Sequence, residues 1–460
     1  MGTEPGFGSS LSRRSFLGRS ALFAGAGAVG LEAFLAACST TSTTPSGAVT
    51  ATVNSLPPSS NPGALYVFNQ QVKQFEQAFP NEKIVGKNDP YDPQTYFARL
   101  AAGQQETGVQ SYFTEPPLLI SKHGVADISS LAKGWQYFGD YVPSIASIAT
   151  DSSGKVYGIP TDGYTLGIYY NRKMFQAVGL DPDKPPLTWD DFRSYAKKLT
   201  TASVAGFAET STGNQGGWHF TNWMYTAGGD MQSADGTKAT FNSAKGVSVL
   251  QLLKDMRFTD NSTTKAQGFT QAMTLELLAT NKVAMVVMAP DQLNNLQSQF
   301  GADLKNFGIG AMPQNGGNAT LTGGNVWVFN PRSSADVIKA AFDYVIYTNF
   351  NLDVRESGLA NKAANGQAVG APTAQLFKGD FQQKLSALDR KYATVPLDNY
   401  KTYINSTFAL RPEPRNQAQK MFAAIDPCVQ AVLTNQNADP QALLDQAAKQ
   451  FQQVLDSSKS

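Results

Sequence analysis

Histidine and cysteine are scarce in this chain and its charge is balanced, and each of these shortages removes a class of chemistry. His123 and His219 are the only histidines, too few and too widely spaced in sequence to suggest a zinc site. No His-Glu-x-x-His, Cys-x-x-Cys or Gly-x-Ser-x-Gly motif occurs, so three common catalytic or redox signatures are missing. The two cysteines, Cys38 and Cys428, cannot build a disulfide framework. The sequence holds 37 basic and 36 acidic side chains; residues 1–37 contribute three arginines and two glutamates, which leaves 34 of each in the remainder. A neutral folded part lacks the basic footprint that a nucleic-acid partner needs and favours an uncharged ligand. Internal repeats, which an adhesive or structural surface protein would show, are also missing.

The N-terminal segment reads as an address. Ser12-Arg13-Arg14-Ser15-Phe16-Leu17 resembles a twin-arginine export signal, and the weakly apolar run behind it ends in Leu35-Ala36-Ala37-Cys38, which resembles a lipoprotein lipobox. Arg19 and Glu32 leave only 12 uncharged residues between them, short of the roughly 20 that span a bilayer. The expectation is that residues 1–37 are removed and that Cys38 carries lipid, anchoring the protein to the outer face of the cytoplasmic membrane. Cys428 then has no partner and reads as a buried thiol. Gly25 to Gly30 has the spacing of a dinucleotide loop but no strand before it, and no cofactor or metal is expected. Residues 38–60, rich in Ser, Thr, Pro and Ala and uncharged from Ser39 onward, read as a flexible tether.

The remaining length of about 420 residues exceeds one ordinary core and implies two lobes. Leu65, Phe68, Val72, Phe75 and Phe79 mark a helix that Pro80 stops. Thr188 caps another, with Asp190 and Asp191 in its first turn, where carboxylates suit the positive helix terminus; that adjacent acid pair therefore has a structural use. Residues 110–114, 283–288 and 307–311 read as strands between helical patterns, an α/β arrangement. Glu115 follows the first of these, at the carboxyl end of a strand that faces the ligand crevice of an open sheet. In residues 154–171, Tyr164, Leu166, Ile168 and Tyr170 alternate as a strand. A shorter one passes through Val156 and Ile159, and Pro160 to Gly163 form a turn-prone link between the two.

Ordered motifs add a family resemblance. Gly-Lys-Val-Tyr-Gly-Ile-Pro at 154–160, Ile-Tyr-Tyr-Asn-Arg-Lys-Met-Phe at 168–175, Val-Gly-Leu-Asp-Pro at 178–182 and Gly-Gly-Asn at 323–325 resemble the extracellular solute-binding proteins of bacterial ABC importers, of the carbohydrate-binding type (family 1). The likeness runs from about Leu65 to Leu455. It implies a type II periplasmic-binding-protein fold: two α/β lobes, each a sheet flanked by helices, joined by crossover strands that act as a hinge. The first lobe would take 61–159 and 323–355, the second 160–322 and 356–460. The resemblance further implies a monomer that captures a mono- or oligosaccharide between the lobes and delivers it to membrane permease subunits. Relatives with this layout bind glycerophosphodiesters, which is the alternative ligand class.

The same resemblance points to site residues. The aromatic segment Gly216 to Tyr225 resembles the part of the second lobe that stacks a ring on a sugar, whose apolar faces and polar rim suit flat aromatic walls. Trp218 and Trp223 are five apart and cannot share one helix face, so Trp218 is assigned to ligand and Trp223 to the core. Asp162 and Tyr164 lie on the expected hinge. Asp291 follows the strand at 283–288, at a position where many sugar binders carry tryptophan. Gly323 and Gly324, with Asn325, would let backbone approach the ligand closely; a phosphate loop would need a Gly-Lys-Ser/Thr ending that is missing. Arg411, in a proline-stiffened segment, stands where some family members grip hydroxyls or phosphate. A secreted glycosidase is the enzymatic rival. It needs two carboxylates roughly 5 to 10 Å apart, and Glu115, Asp162, Glu209, Asp230 and Asp291 offer no pair that sequence can select. The chain therefore reads as a binding protein, not an enzyme.

Overall fold

The computed structural model describes residues 47–60 and 62–457. Arg13, Arg14 and Cys38, the expected export and lipidation residues, lie outside them. Among the described residues, ten strands form two sheets. In chain order they are β1 (Val49–Val53), β2 (Glu82–Gly86), β3 (Gly108–Tyr112), β4 (Gly158–Thr165), β5 (Gly167–Asn171), β6 (Ala205–Ala208), β7 (Val283–Met288), β8 (Phe307–Ala311), β9 (Ala319–Phe329) and β10 (Ala409–Pro412). The first sheet runs β10-β9-β3-β1-β2, with β4 also paired to β9; the second runs β6-β7-β5-β8. Pairing is parallel for β1 with β2 and β3, for β6 with β7 and for β9 with β10, and antiparallel elsewhere.

Each sheet is covered by helices, and burial explains the strand sequences. β7 reads Val-Ala-Met-Val-Val-Met because both of its faces are covered. Met285 and Val287 enter one core with Phe192, Trp223 and Val429, whereas Val283, Val286 and Met288 enter another with Leu275 and Tyr400. A third core surrounds the first sheet, where Ala51, Val53, Ile159 and Val328 meet Phe75 and Tyr344. The expected cap at Thr188 forms a reciprocal capping box: the Asp191 N–H donates to the Thr188 hydroxyl at 3.1 Å, and the Thr188 N–H donates to the Asp191 carboxylate at 3.1 Å.

Three expectations change. β1 lies inside the stretch read as a tether, yet it is an interior strand whose Ala51 and Val53 are fully buried. Alternating Val and Thr are good strand formers, and pairing with β2 and β3 outweighs the linker-like composition around them. Second, Pro160 to Gly163 make no turn. They sit within the continuous strand β4, whose register against β9 shifts between Pro160 and Asp162, an irregularity that accommodates a proline without a backbone donor. Third, Leu376, Phe377, Phe381 and Leu385 pack into the core of the first sheet, although residues 356–460 were expected in the second lobe. Phe377 and Phe381 fit a dense ring cluster with Trp135 and Phe350, so burial of aromatic surface draws this segment across.

The antiparallel β4–β9 ribbon joins the two halves. Ile159 and Val326 belong to the core of the first sheet, while Leu166, just past the end of β4, and Leu321 belong to the large core on the second. Main chain thus passes between the cores at the same place twice.

Candidate functional site

Tyr164 stands on β4 where the ribbon leaves the first core. Its ring meets Trp218 edge to face, with centroids 5.8 Å apart, and both line a cavity of about 360 Å³, a volume within the usual range for small-molecule sites. Trp218 is carried by the helix Gln215–Thr226. That helix sits close against the helix Ala418–Thr434 because a Cβ at Gly217 would lie 2.4 Å from the Phe422 backbone. Its N-terminus is held by Asp426, which accepts from the Asn214 N–H at 2.7 Å and the Gly217 N–H at 2.8 Å. Trp223, one turn on, is fully buried and donates its indole N–H to Glu209 at 2.9 Å.

Amides and carboxylates complete the cavity. Asn214, Gln215, Gln271 and Gln419 supply the amides, Asp291 and Glu413 the acids, and no lysine, arginine or histidine lines it. The Tyr164 hydroxyl donates to Glu413 at 3.0 Å. Among the described residues, the buried Trp218 indole nitrogen meets full hydrogen-bond geometry with no partner, although it lies near enough to the Glu413 carboxylate to favour its charged form. Burial pushes the Glu413 carboxyl up to about 7; the Tyr164 hydroxyl and the Trp218 indole N–H act in the opposite sense, and the Glu115 charge adds to the rise. Desolvation raises Asp291 as well, opposed by its hydrogen bond from the Gln292 amide.

A second group of residues lies on the first sheet. Tyr112, Asn325 and Asp162 occupy directly opposed positions on β3, β9 and β4, and residues so opposed share one face of a sheet. Asn325 donates its backbone N–H to Asp162 at 3.2 Å and its side-chain amide to both carboxylate oxygens at 3.0 and 3.1 Å. Desolvation raises the Asp162 carboxyl, Asn325 opposes the rise, and the charge of Asp291 adds to it. Glu115 precedes a short helix and accepts from the Tyr91 hydroxyl at 2.7 Å. The charge of Glu115 adds to the rise of Glu413, as that of Asp291 does for Asp162.

The remaining expected residues have other surroundings. A Cβ at Gly323 would lie 2.2 Å from the Tyr164 hydroxyl oxygen, and one at Gly324 would lie 2.2 Å from the Asp162 carbonyl oxygen. These glycines make room for β4, one for the Tyr164 ring and the other for the Asp162 backbone. Arg411 does not line the cavity: its guanidinium lies 4.0 Å from the Tyr225 ring centroid, donates to the Gly229 carbonyl at 2.9 Å and pairs with Asp230. Two of its five donors are thus taken up by protein. Glu209 is buried against His219, at 2.5 Å, and Trp223. Glu413 was missed by sequence reasoning. It sits between Pro412 and Pro414, and only the pairing of β10 with β9 brings it beside Tyr164. Among the described residues, no group of three or more His, Cys, Asp or Glu side chains could hold a metal ion, and no helix is long and apolar enough to cross a membrane.

Two helix-covered sheets, joined by a crossing ribbon with an aromatic and amide-lined cavity beside it, define a two-lobed solute-binding protein. The family description "Bacterial extracellular solute-binding protein" matches residues 59–347, and the chain belongs to that family. The sn-glycerol-3-phosphate-binding periplasmic protein UgpB of Yersinia pestis is 27% identical over 304 residues, which cover 59% of this chain and 64% of that protein. The match therefore spans just under two thirds of that relative's length. The sugar-binding protein MalE of Xanthomonas citri superposes with a TM-score of 0.71 at 13% identity, covering 89% of this chain and 98% of that one. UgpB of Mycobacterium tuberculosis, solved with glycerophosphocholine, superposes with a TM-score of 0.65 at 16% identity, covering 90% and 100%. The fold is the type II periplasmic-binding-protein fold.

Proposed function

We propose that this protein is the substrate-binding component of an ABC importer, lipid-anchored through Cys38 on the outer face of the cytoplasmic membrane. It captures a mono- or oligosaccharide beside the β4–β9 ribbon and hands it to permease subunits. The observation that carries the ligand class is the lining of the cavity: indole and phenol rings, four side-chain amides and two carboxylates, without a cation. Aromatic faces suit the apolar faces of a sugar ring, and amides and carboxylates suit its hydroxyls. Asp162 and Asn325 stand ready on the first sheet to complete the contacts when the lobes close. Closure follows from the ligand's higher affinity for the closed form, and a micromolar dissociation constant, about −8 kcal/mol, is sufficient for capture.

Glycerophosphodiesters are the second reading, favoured by the glycerophosphocholine named for the Mycobacterium UgpB; the Yersinia UgpB is named for a related phosphate monoester, sn-glycerol 3-phosphate. A cavity with carboxylates and no lining arginine or lysine is a poor host for phosphate, which places this reading second. A thermal-shift screen of the full-length chain against saccharides and glycerophosphodiesters decides between them. Stabilisation by a saccharide that is recovered intact is the expected result. Release of reducing ends would mean a hydrolase, and stabilisation by phosphodiesters alone would replace the sugar by the second class.

A further inference from the structure

The geometry points to Glu413 as the specificity-determining residue of the cavity: its carboxylate accepts from a ligand hydroxyl or ammonium group and turns phosphate away. This assignment rests on the carbohydrate reading and names the residue that enforces it.

Position is the first argument. β10 pairs in parallel with β9, Arg411 opposite Leu321 and Pro412 opposite Thr322, so Glu413 leaves the sheet beside the ribbon that joins the cores. Prolines on both sides fix their own backbone torsions, and the Tyr225 hydroxyl donates to the Pro412 carbonyl at 3.0 Å. The side chain is thus presented from a stiff support. Orientation is the second. One carboxylate oxygen accepts from Tyr164, and no other side-chain or backbone group among the described residues meets hydrogen-bond geometry with the carboxylate. The Trp218 indole N–H, buried and unpartnered, faces the same carboxylate. A donor group of a ligand could bind the second oxygen, and an acceptor beside it could share the indole N–H, which is the arrangement offered by adjacent hydroxyls.

Charge is the third argument. The groups around Glu413 are Tyr164 from β4, Trp218 and Tyr225 from the helix Gln215–Thr226, and Glu115 from the cap of the short helix Pro116–Ser121. Arg411 is held by Asp230 over the face of Tyr225, and Arg415 is exposed. Asp291 lines the same cavity. A phosphate here meets carboxylates and finds no lining cation, whereas a hydroxyl or an ammonium group meets an acceptor.

The test compares the full-length chain with Glu413→Gln, which keeps the size of the side chain and an acceptor for Tyr164. Both are titrated by calorimetry with a panel of neutral saccharides, with glucosamine and with sn-glycerol 3-phosphate. Hydrogen bonds to charged groups imply that Glu413→Gln weakens the best saccharide about ten- to a hundredfold, with the ligand-free variant still melting cooperatively. The parent chain's affinity for a neutral saccharide should also fall as pH drops below about 7, and this parent-only profile decides the matter if the variant does not fold. Equal saccharide affinity in parent and variant, or a flat pH profile, overturns the assignment and leaves the carbohydrate reading standing. If no saccharide binds and Glu413→Gln strengthens glycerol phosphate binding, the carbohydrate reading fails and Glu413 keeps its role against phosphate. Tight glycerol phosphate binding by the parent, unchanged in the variant, defeats both.

Discussion

Trp218 and Trp223 share one helix and should fail in different ways when removed. Trp223 is fully buried against Phe192 and Trp189, so Trp223→Ala is expected to cost about 3–5 kcal/mol of stability, read as a lower denaturation midpoint. Trp218→Ala should instead weaken saccharide binding about tenfold with a near-normal midpoint; two equally unstable variants would contradict the division. Glu413 adds a pH dependence whose sign is fixed. Its folded value, about 7, lies above its ordinary 4.5. The stability it contributes is therefore whole below pH 4.5 and is lost as pH rises through about 7. Relative to Glu413→Gln, the ligand-free chain should lose melting temperature across that window, and parallel curves would remove Glu413 from the account. Tyr164, Trp218 and Asp291 could be chosen from sequence because aromatic density and a strand end mark them. Glu413 could not, since Pro-Glu-Pro gives no sign of which cavity a distant strand pairing will bring it to.

Among the elements, β1 and the helix Gln215–Thr226 carry the sharpest consequences. A truncated chain that begins at Ser60 loses an interior strand of the first sheet, exposing the edges of β2 and β3 to which it bonds; it should fail to fold. One that begins at Thr44 keeps β1 and should retain the full melting temperature. Equal stability of the two would mean that β1 is dispensable. Gly217→Ala places a methyl group against the Phe422 backbone, and overpacking of that kind costs about 1–3 kcal/mol. It should also shift Trp218 and so weaken binding. Helices and buried strands were legible where periodicity is strong, as in Pro62–Ala78, Pro440–Ser457 and β7. β1 was hidden because a five-residue strand in a Ser/Thr/Ala-rich stretch looks like linker until its partners, some 30 and 55 residues downstream, cover it. The link at Pro160 to Gly163 was misread for the same reason: its β9 partners come more than 160 residues later.

For the whole molecule, the β4–β9 ribbon is the feature on which the proposed capture depends. It connects two separately packed cores, which lets the lobes change their relation without either core being rebuilt. The two-lobed plan was legible from length and ordered motifs; the route of residues 376–385 into the first core was not, because a contact between distant aromatic residues leaves no local pattern. Ligand at a hundred times its dissociation constant should stabilise the fold by about 2.7 kcal/mol. The most direct test of the central claim is a crystal structure of the chain grown with the strongest saccharide from the screen. A sugar ring is expected against Trp218 and Tyr164, with hydroxyls on Asp291 and Glu413. A saccharide seated elsewhere, with this cavity left to solvent, would contradict it.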